Sequence, residues 1–199
     1  PISLWWLARA AAEETLHGSP MVSAWLTLFR THLSSTELHE LRWNGDLAES
    51  AELRRSYSGL YGRFMARALL THHLGLSRFV SLKRTGISLP GSIAVTRNAG
   101  GDIPDWLAWD SRNNRFVLCE AKGSLTANDF LTRDPPRCVE QGKKQFGRVS
   151  SVIAGRATHP AEWVAASRWS TDDRGGPSVT FLWEPPTLET PFEPEGADR

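Results

Sequence analysis

With 199 residues, 40% of them hydrophobic, the chain can build one sizeable core plus embellishments. Its formal net charge of +1 excludes a strong global field, so any contact with nucleic acid has to come from a local basic patch. No apolar run approaches the roughly 20 residues that span a bilayer, and Ile2-Ser3-Leu4-Trp5-Trp6-Leu7 lacks the basic n-region and long h-region of a signal peptide.

In chain order, residues 1–56 read as a helical extension. Ala8, Ala10, Ala11, Ala12, Glu13 and Glu14 are strong helix formers. Ser19-Pro20 opens a second helix through Trp25 and Phe29, with Pro at the first helical position. Asp46 to Arg55 is a third, more polar helix. Tyr57, Leu60, Tyr61, Phe64 and Ala68 then recur at helical spacing, and Gly75 is a stop after His72-His73. Adjacent positions do not share a helix face, so the paired histidines read as a solvated helix end rather than a metal site.

After Gly75 the period changes. Residues 79–83 and 92–97 are candidate strands, separated by Gly86 and Pro90-Gly91. Ile103–Trp109 and Arg115–Ala121 are better ones, and Asp110-Ser111-Arg112-Asn113-Asn114 between them is a run of turn formers, which predicts a hairpin. Residues 123–136 read as a polar loop. A helix follows from Arg137 to Ala154, with apolar positions Val139, Gly142, Phe146, Val149 and Ile153 stepping 3-4-3-4. Strands are expected over Glu162–Trp169 and Ser178–Trp183, joined by the turn Asp172-Asp173-Arg174-Gly175-Gly176. The tail 185–199, rich in Pro and Glu, is expected to be disordered.

The hairpin carries the chemistry. A turn centred near Arg112-Asn113 pairs residues whose numbers sum to about 225, which sets Asp105 opposite Glu120. Like charges directly opposed destabilise a strand pair, and a divalent cation between them reverses the sign. Lys122 follows Glu120 by two and leaves the same face. Phe116-Val117-Leu118-Cys119 and Trp106-Leu107-Ala108 are apolar on both faces, as in central strands, and charges at the end of such strands are expensive unless paired or metal-bound. Carboxylate oxygens suit Mg²⁺ or Mn²⁺. Such an ion activates water and stabilises charge developing on phosphorus oxygens, with Lys122 orienting the water or neutralising the transition state. Only four lysines stand against nineteen arginines. A lysine in such a chain marks a need for a compact ammonium, or chance. The competing structural reading is a salt-bridged hairpin without a catalytic role.

Pro104-Asp105, fourteen intervening residues and then Glu120-Ala121-Lys122 resemble the PD-(D/E)xK nuclease superfamily. The resemblance covers residues 57–184. It implies a restriction-endonuclease-like α/β fold, a mixed sheet flanked by helices in the order helix, three strands, helix, strand. It further implies that Asp105, Glu120 and the carbonyl of Ala121 bind Mg²⁺ (or Mn²⁺), that Lys122 is the catalytic lysine and that the substrate is DNA. Many members carry one more acid on the helix before the sheet. The candidates here are Glu52 and Glu49, just upstream of Tyr57–His73, and Asp102. Some members place a Gln on the helix after the lysine strand, which Gln141 and Phe146 approximate.

With Val139 toward the core, Arg137, Gln141, Lys144 and Arg148 lie on the opposite side of that helix. They form a solvated face or a stripe contacting phosphates. Lys143, nearer the apolar side with Glu140, is a further phosphate-binding candidate. Trp106 and Trp109 are expected in the core rather than stacked on bases. Cys119 and Cys138, without metal-ligand spacing, read as buried thiols in a reducing compartment. The expectation is a cytoplasmic nuclease with no membrane partner, whose N-terminal helices meet a protein partner or the rest of a longer chain. Restriction or phage defence, an interbacterial effector and repair are the settings weighed, with a lean to defence. The alternative is a catalytically inactive nuclease-like fold serving as an interaction module in a larger assembly, and a third is a helical scaffold with a structural hairpin.

Overall fold

The structure, a computed structural model, describes residues 2–15, 21–35, 40–45, 48–82, 93–98, 100–125, 127–171 and 175–185. The Ser19-Pro20 helix start, Asp46, Lys83, Gly86, Pro90-Gly91, the Asp172-Asp173-Arg174 turn and the tail from 186 lie outside them.

The chain begins with α1 (Leu4–Glu14), where the Ser3 hydroxyl caps the helix by accepting the Trp6 N–H at 3.4 Å. After α2 (Val22–His32) come two short antiparallel strands, β1 (Leu33–Ser35) and β2 (Leu41–Trp43), where the sequence predicts helix. Tertiary contacts account for the difference. The Trp43 N–H donates to the Ser170 carbonyl at 2.9 Å, and its ring packs 4.5 Å from that of Tyr61.

The next helix, α3 (Ala51–His72), is continuous from its Ser50 cap and fuses the two helices expected on either side of residue 56. The 56/57 division thus falls inside α3. Ser56 and Gly59 are poor helix formers, but α3 is held by packing against α1 on one side and the central sheet on the other. His72 and His73 close it on the exposed surface.

The chain is an α/β protein with a mixed five-stranded central sheet between helices. Its strands are β3 (Leu76–Ser81), β5 (Trp106–Asp110), β6 (Arg115–Ser124), β9 (Ala161–Arg168) and β10 (Val179–Trp183), in the order β10-β9-β6-β5-β3. Only β6 and β9 run parallel. Alternation along β6 divides the core. Val117, Cys119 and Ala121 face Ala66 and Leu70 of α3, while Leu118 faces Val139 and Phe146 of α5 (Arg137–Phe146).

One expected element changes type. The helix predicted to Ala154 stops at Phe146, and Val149–Ala154 forms β7, paired with β4 (Ile93–Arg97) and β8 (Arg156–Thr158) in a second sheet. The apolar positions fit a helix, but Gly147 follows the last helical residue, and the β-branched Val149, Val152 and Ile153 find a partner strand far upstream. The loop expected over 123–136 holds the end of β6 and a one-turn helix, α4 (Ala127–Thr132).

The β5–β6 hairpin has the predicted register, from Trp106↔Cys119 to Asp110↔Arg115. Asp110 organises its turn, accepting the N–H groups of Arg112 and Asn113 at 3.1 and 3.2 Å, and Asn114 takes a left-handed φ of 51°. At the other end α3 approaches β6 closely enough to need two glycines. A Cβ on Gly62 would lie 2.6 Å from the Gly123 Cα, and one on Gly123 would overlap the Ser58 carbonyl oxygen. Among the described residues, no helix is long and apolar enough to cross a membrane.

Candidate functional site

Asp105 directly precedes β5, and the hairpin register, extended one step, sets it beside Glu120. The two acids are 1% and 0% exposed and are locked crosswise by the backbone. The Asp105 N–H donates to Glu120 Oε2 at 3.0 Å, and the Ala121 N–H donates to Asp105 Oδ2 at 2.9 Å. Ala121 thus meets the pair through its backbone, as β6 alternation requires, since its side chain faces α3.

Each acid has a cation of its own. Arg63 Nη1, from α3, pairs with Asp105 Oδ1, and Lys122 Nζ pairs with Glu120 Oε1. These pairings offset the repulsion of two buried carboxylates. Arg63 also donates to Glu14 Oε2 from Nη2 at 2.8 Å and from Nε at 3.1 Å. Glu14 Oε1 accepts the Trp106 indole N–H at 2.8 Å, and the Arg63 guanidinium lies 4.5 Å from the centre of that ring. Trp106 is therefore buried in the core and also holds the network. Burial alone would lower the Arg63 pKa, but the charges of Asp105 and Glu14 outweigh it and raise it above the ordinary arginine value. The neighbouring Arg67 goes the other way: burial lowers its pKa despite Glu14 and Glu13.

On the opposite face of the sheet, Gln145 of α5 completes the cluster at 8% exposure. In the amide orientation that satisfies both ends, its nitrogen lies 2.8 and 2.6 Å from the Glu120 oxygens and 3.3 Å from the Ile103 carbonyl, while its oxygen accepts from Lys122 Nζ at 3.0 Å. Gly142, one turn earlier on the same helix face, lets α5 approach; a Cβ there would meet Glu120 Cγ at 3.3 Å and the Val164 methyls at 3.0 and 3.1 Å.

The structure brings together Asp105, Glu120, Ala121 and Lys122 among the residues singled out in the sequence. Glu49 and Glu52 are exposed at the start of α3, the latter about 16 Å of helix rise from Arg63. Asp102 is exposed, and its carbonyl accepts from Arg148 Nη1 at 2.5 Å, which ties Arg148 there. Gln141 and Lys144 point to solvent. Lys143 pairs with Glu140 at 2.5 Å and lies 4.4 Å from the Trp183 ring centre, so it faces β10 rather than the acids.

Three members escape sequence reasoning: Glu14, Arg63 and Gln145. For Gln145 a signal existed, because Gly142 and Phe146 mark the buried face of α5 on which it also lies. Arg63 and Glu14 are separated by 49 positions, and nothing local announces their pairing. Glu14 is also the acid that approaches the cluster from a helix before the sheet, but through Arg63 rather than by direct contact.

Among the described residues, no group of three or more His, Cys, Asp or Glu side chains is arranged to hold a metal ion. The donor chemistry still suits a hard divalent cation, since two buried carboxylates stand side by side. The thiols stand apart from this chemistry: burial pushes Cys119 well above the usual thiol range and Cys138 up to about 11. Compared with protein-family models, curated proteins and solved structures, the chain matches none.

Proposed function

We propose that the Asp105–Glu120–Lys122 cluster is the active site of a metal-dependent nuclease of restriction-endonuclease-like fold that hydrolyses phosphodiester bonds in DNA. The observation that supports this best is the buried, crosswise hydrogen-bonded pair of carboxylates, with an ammonium on the same strand face two residues later. Burying two acids side by side destabilises a hairpin by itself, so the arrangement needs cations beside it, and a hard divalent ion is one that paired carboxylates can hold. With the second sheet (β4, β7, β8) and the short α4 left aside, α3, β3, β5, β6, α5 and β9 follow the helix, three strands, helix, strand that the motif implies.

In this reading Asp105, Glu120 and the Ala121 carbonyl would hold Mg²⁺ or Mn²⁺, which would supply Lewis-acid stabilisation of the phosphoryl oxygens and an activated water. Gln145 and Glu120 fix the Lys122 ammonium, which orients the attacking water and neutralises charge on the scissile phosphate. Glu14 holds Arg63 beside Asp105 through two hydrogen bonds. One observation favours the second reading, an interaction module without catalysis: Arg63 and Lys122 already balance the two acids without a metal.

The test is cleavage of plasmid DNA with Mg²⁺ or Mn²⁺, beside an EDTA control and the variants Asp105→Ala and Lys122→Ala. Metal-dependent cleavage is expected, reduced about a hundredfold or more by either substitution. Cleavage that survives both substitutions overturns the site; no cleavage with either metal supports the interaction module.

A further inference from the structure

We infer that the end of β6 is the floor of a saddle along which the sugar-phosphate backbone of duplex DNA runs past Lys122; this rests on the nuclease reading and adds the substrate's track to it. Two depressions meet at Gly123 and Ser124, directly after Lys122. One, of about 320 Å³, lies on the α3 side and is lined by Arg54, Arg55 and Ser58. The other, of about 570 Å³, lies on the α4–α5 side and is lined by Thr132, Arg133, Arg137 and Gln141. They share Gly123 and Ser124 in their lining, and in the proposed saddle they act as one trough across the strand end. At Gly123 the strand end lies directly against the α3 backbone, where a Cβ would overlap the Ser58 carbonyl oxygen.

The charge is right for phosphate. Four arginines stand along the trough against one acid, Asp129, which lies 3.8 Å from Arg133. Arg55 and Arg137, one on each side, are exposed and make no ion pair among the described residues. In a chain of net charge +1 this is a local concentration. The planar arginine fork matches phosphate oxygens without reading bases. Parallel neighbours β6 and β9 both end on this side, where ligands of such sheets collect. Of the stripe suggested by the helix wheel, Arg137 and Gln141 line the trough and Lys144 and Arg148 do not; nor does Lys143, the separate candidate.

Binding of labelled duplex DNA to the full chain in EDTA, read by fluorescence anisotropy, tests the track without cleavage. Arg55→Glu and Arg137→Glu should each weaken binding about tenfold and lower the salt slope by about one, whereas Lys144→Glu, outside the trough, should change it little. Unchanged melting temperatures establish that the exposed substitutions leave the fold intact. Equal effects of all three reversals, or no duplex binding by the wild type, overturn the saddle. Tighter binding of single-stranded DNA or RNA of the same length overturns its assignment to duplex DNA. A wild type that cleaves plasmid but ignores both reversals sinks the saddle alone. One that binds through Arg55 and Arg137 but never cleaves sinks the nuclease reading alone.

Discussion

The two faces of the central sheet hold the paired acids by different means. On the α3 face small residues, Ala66, Ala121, Ala165 and the Gly62–Gly123 contact, bring helix and strand together, and the polar partner arrives from a distance as Arg63. On the α5 face large side chains, Leu118, Val139, Phe146 and Val164, fill the space, and the partner is the short neutral amide of Gln145. Arg63 keeps 26% of its side chain exposed and belongs to a wider network with Glu14, whereas Gln145 is enclosed. A guanidinium at a partly open edge can be exchanged for another cation. An enclosed amide serves as a fixed brace. The faces therefore supply a partly exposed counter-charge for Asp105 and an enclosed amide for Glu120 and Lys122.

The strongest way to break this contrast is with the glycines. Gly123→Ala forces a methyl into the Ser58 backbone and should cost about 3 kcal/mol or more, while Gly142→Ala meets yielding Val164 methyls and should cost about 1 kcal/mol. Thermal melting measures both, and equal losses would contradict the tighter α3 contact. Next, Arg63→Gln leaves Asp105 and Glu14 without their shared cation and should destabilise by about 2 kcal/mol, less than a fully buried pair because the guanidinium edge is wet. A double-mutant cycle with Glu14→Gln should return a coupling of about 1 kcal/mol; a coupling near zero would make the network decorative. Gln145→Leu should cost about 1–2 kcal/mol in denaturant unfolding by stripping the brace from Glu120 and Lys122. In the nuclease reading it should lower kcat more than it raises KM.

The smallest effect comes from the acid at the far end of the same hairpin. Burial would raise the Asp110 pKa, but hydrogen bonds from Asn113, Arg115 and the Arg112 N–H outweigh it and hold the group below the usual carboxylate range. A depressed folded pKa gives stability that is full above the unfolded value of about 3.9 and is lost as pH falls through the folded value. Asp110→Asn should therefore be less stable than wild type at pH 7, and the gap should narrow as pH falls below about 4. Unfolding curves at pH 7 and pH 3 check this, and a constant gap would remove the titration argument.

How legible each part is follows from how far its information travels along the chain. The β5–β6 register is legible because five consecutive turn formers fix its centre, and period-2 geometry then carries Asp105 to Glu120 and Lys122 to the same face. The mixed α/β architecture follows from helix and strand periods in order. The β1–β2 pair is not legible, because Trp43 is positioned by Tyr61 and Ser170, far away in sequence. The change of Val149–Ala154 from helix to strand depends on β4, more than 50 residues upstream. Glu14 and Arg63 meet only because α1 packs on α3, and the wheel of α5, aimed at Gln141, overlooked the next turn, where the buried glutamine sits.

The pairing of Glu14 with Arg63 and of Gln145 with Glu120 also sets the timing of assembly. A chain emerging from the ribosome carries Glu14 and Arg63 early, the Asp105–Glu120 hairpin later and Gln145 last. Until α5 has emerged and docked, the hairpin presents two carboxylates and an ammonium without their brace. The complete cluster is thus a late event of synthesis, and a chain interrupted before Gln145 would hold both acids and the lysine yet lack the finished site.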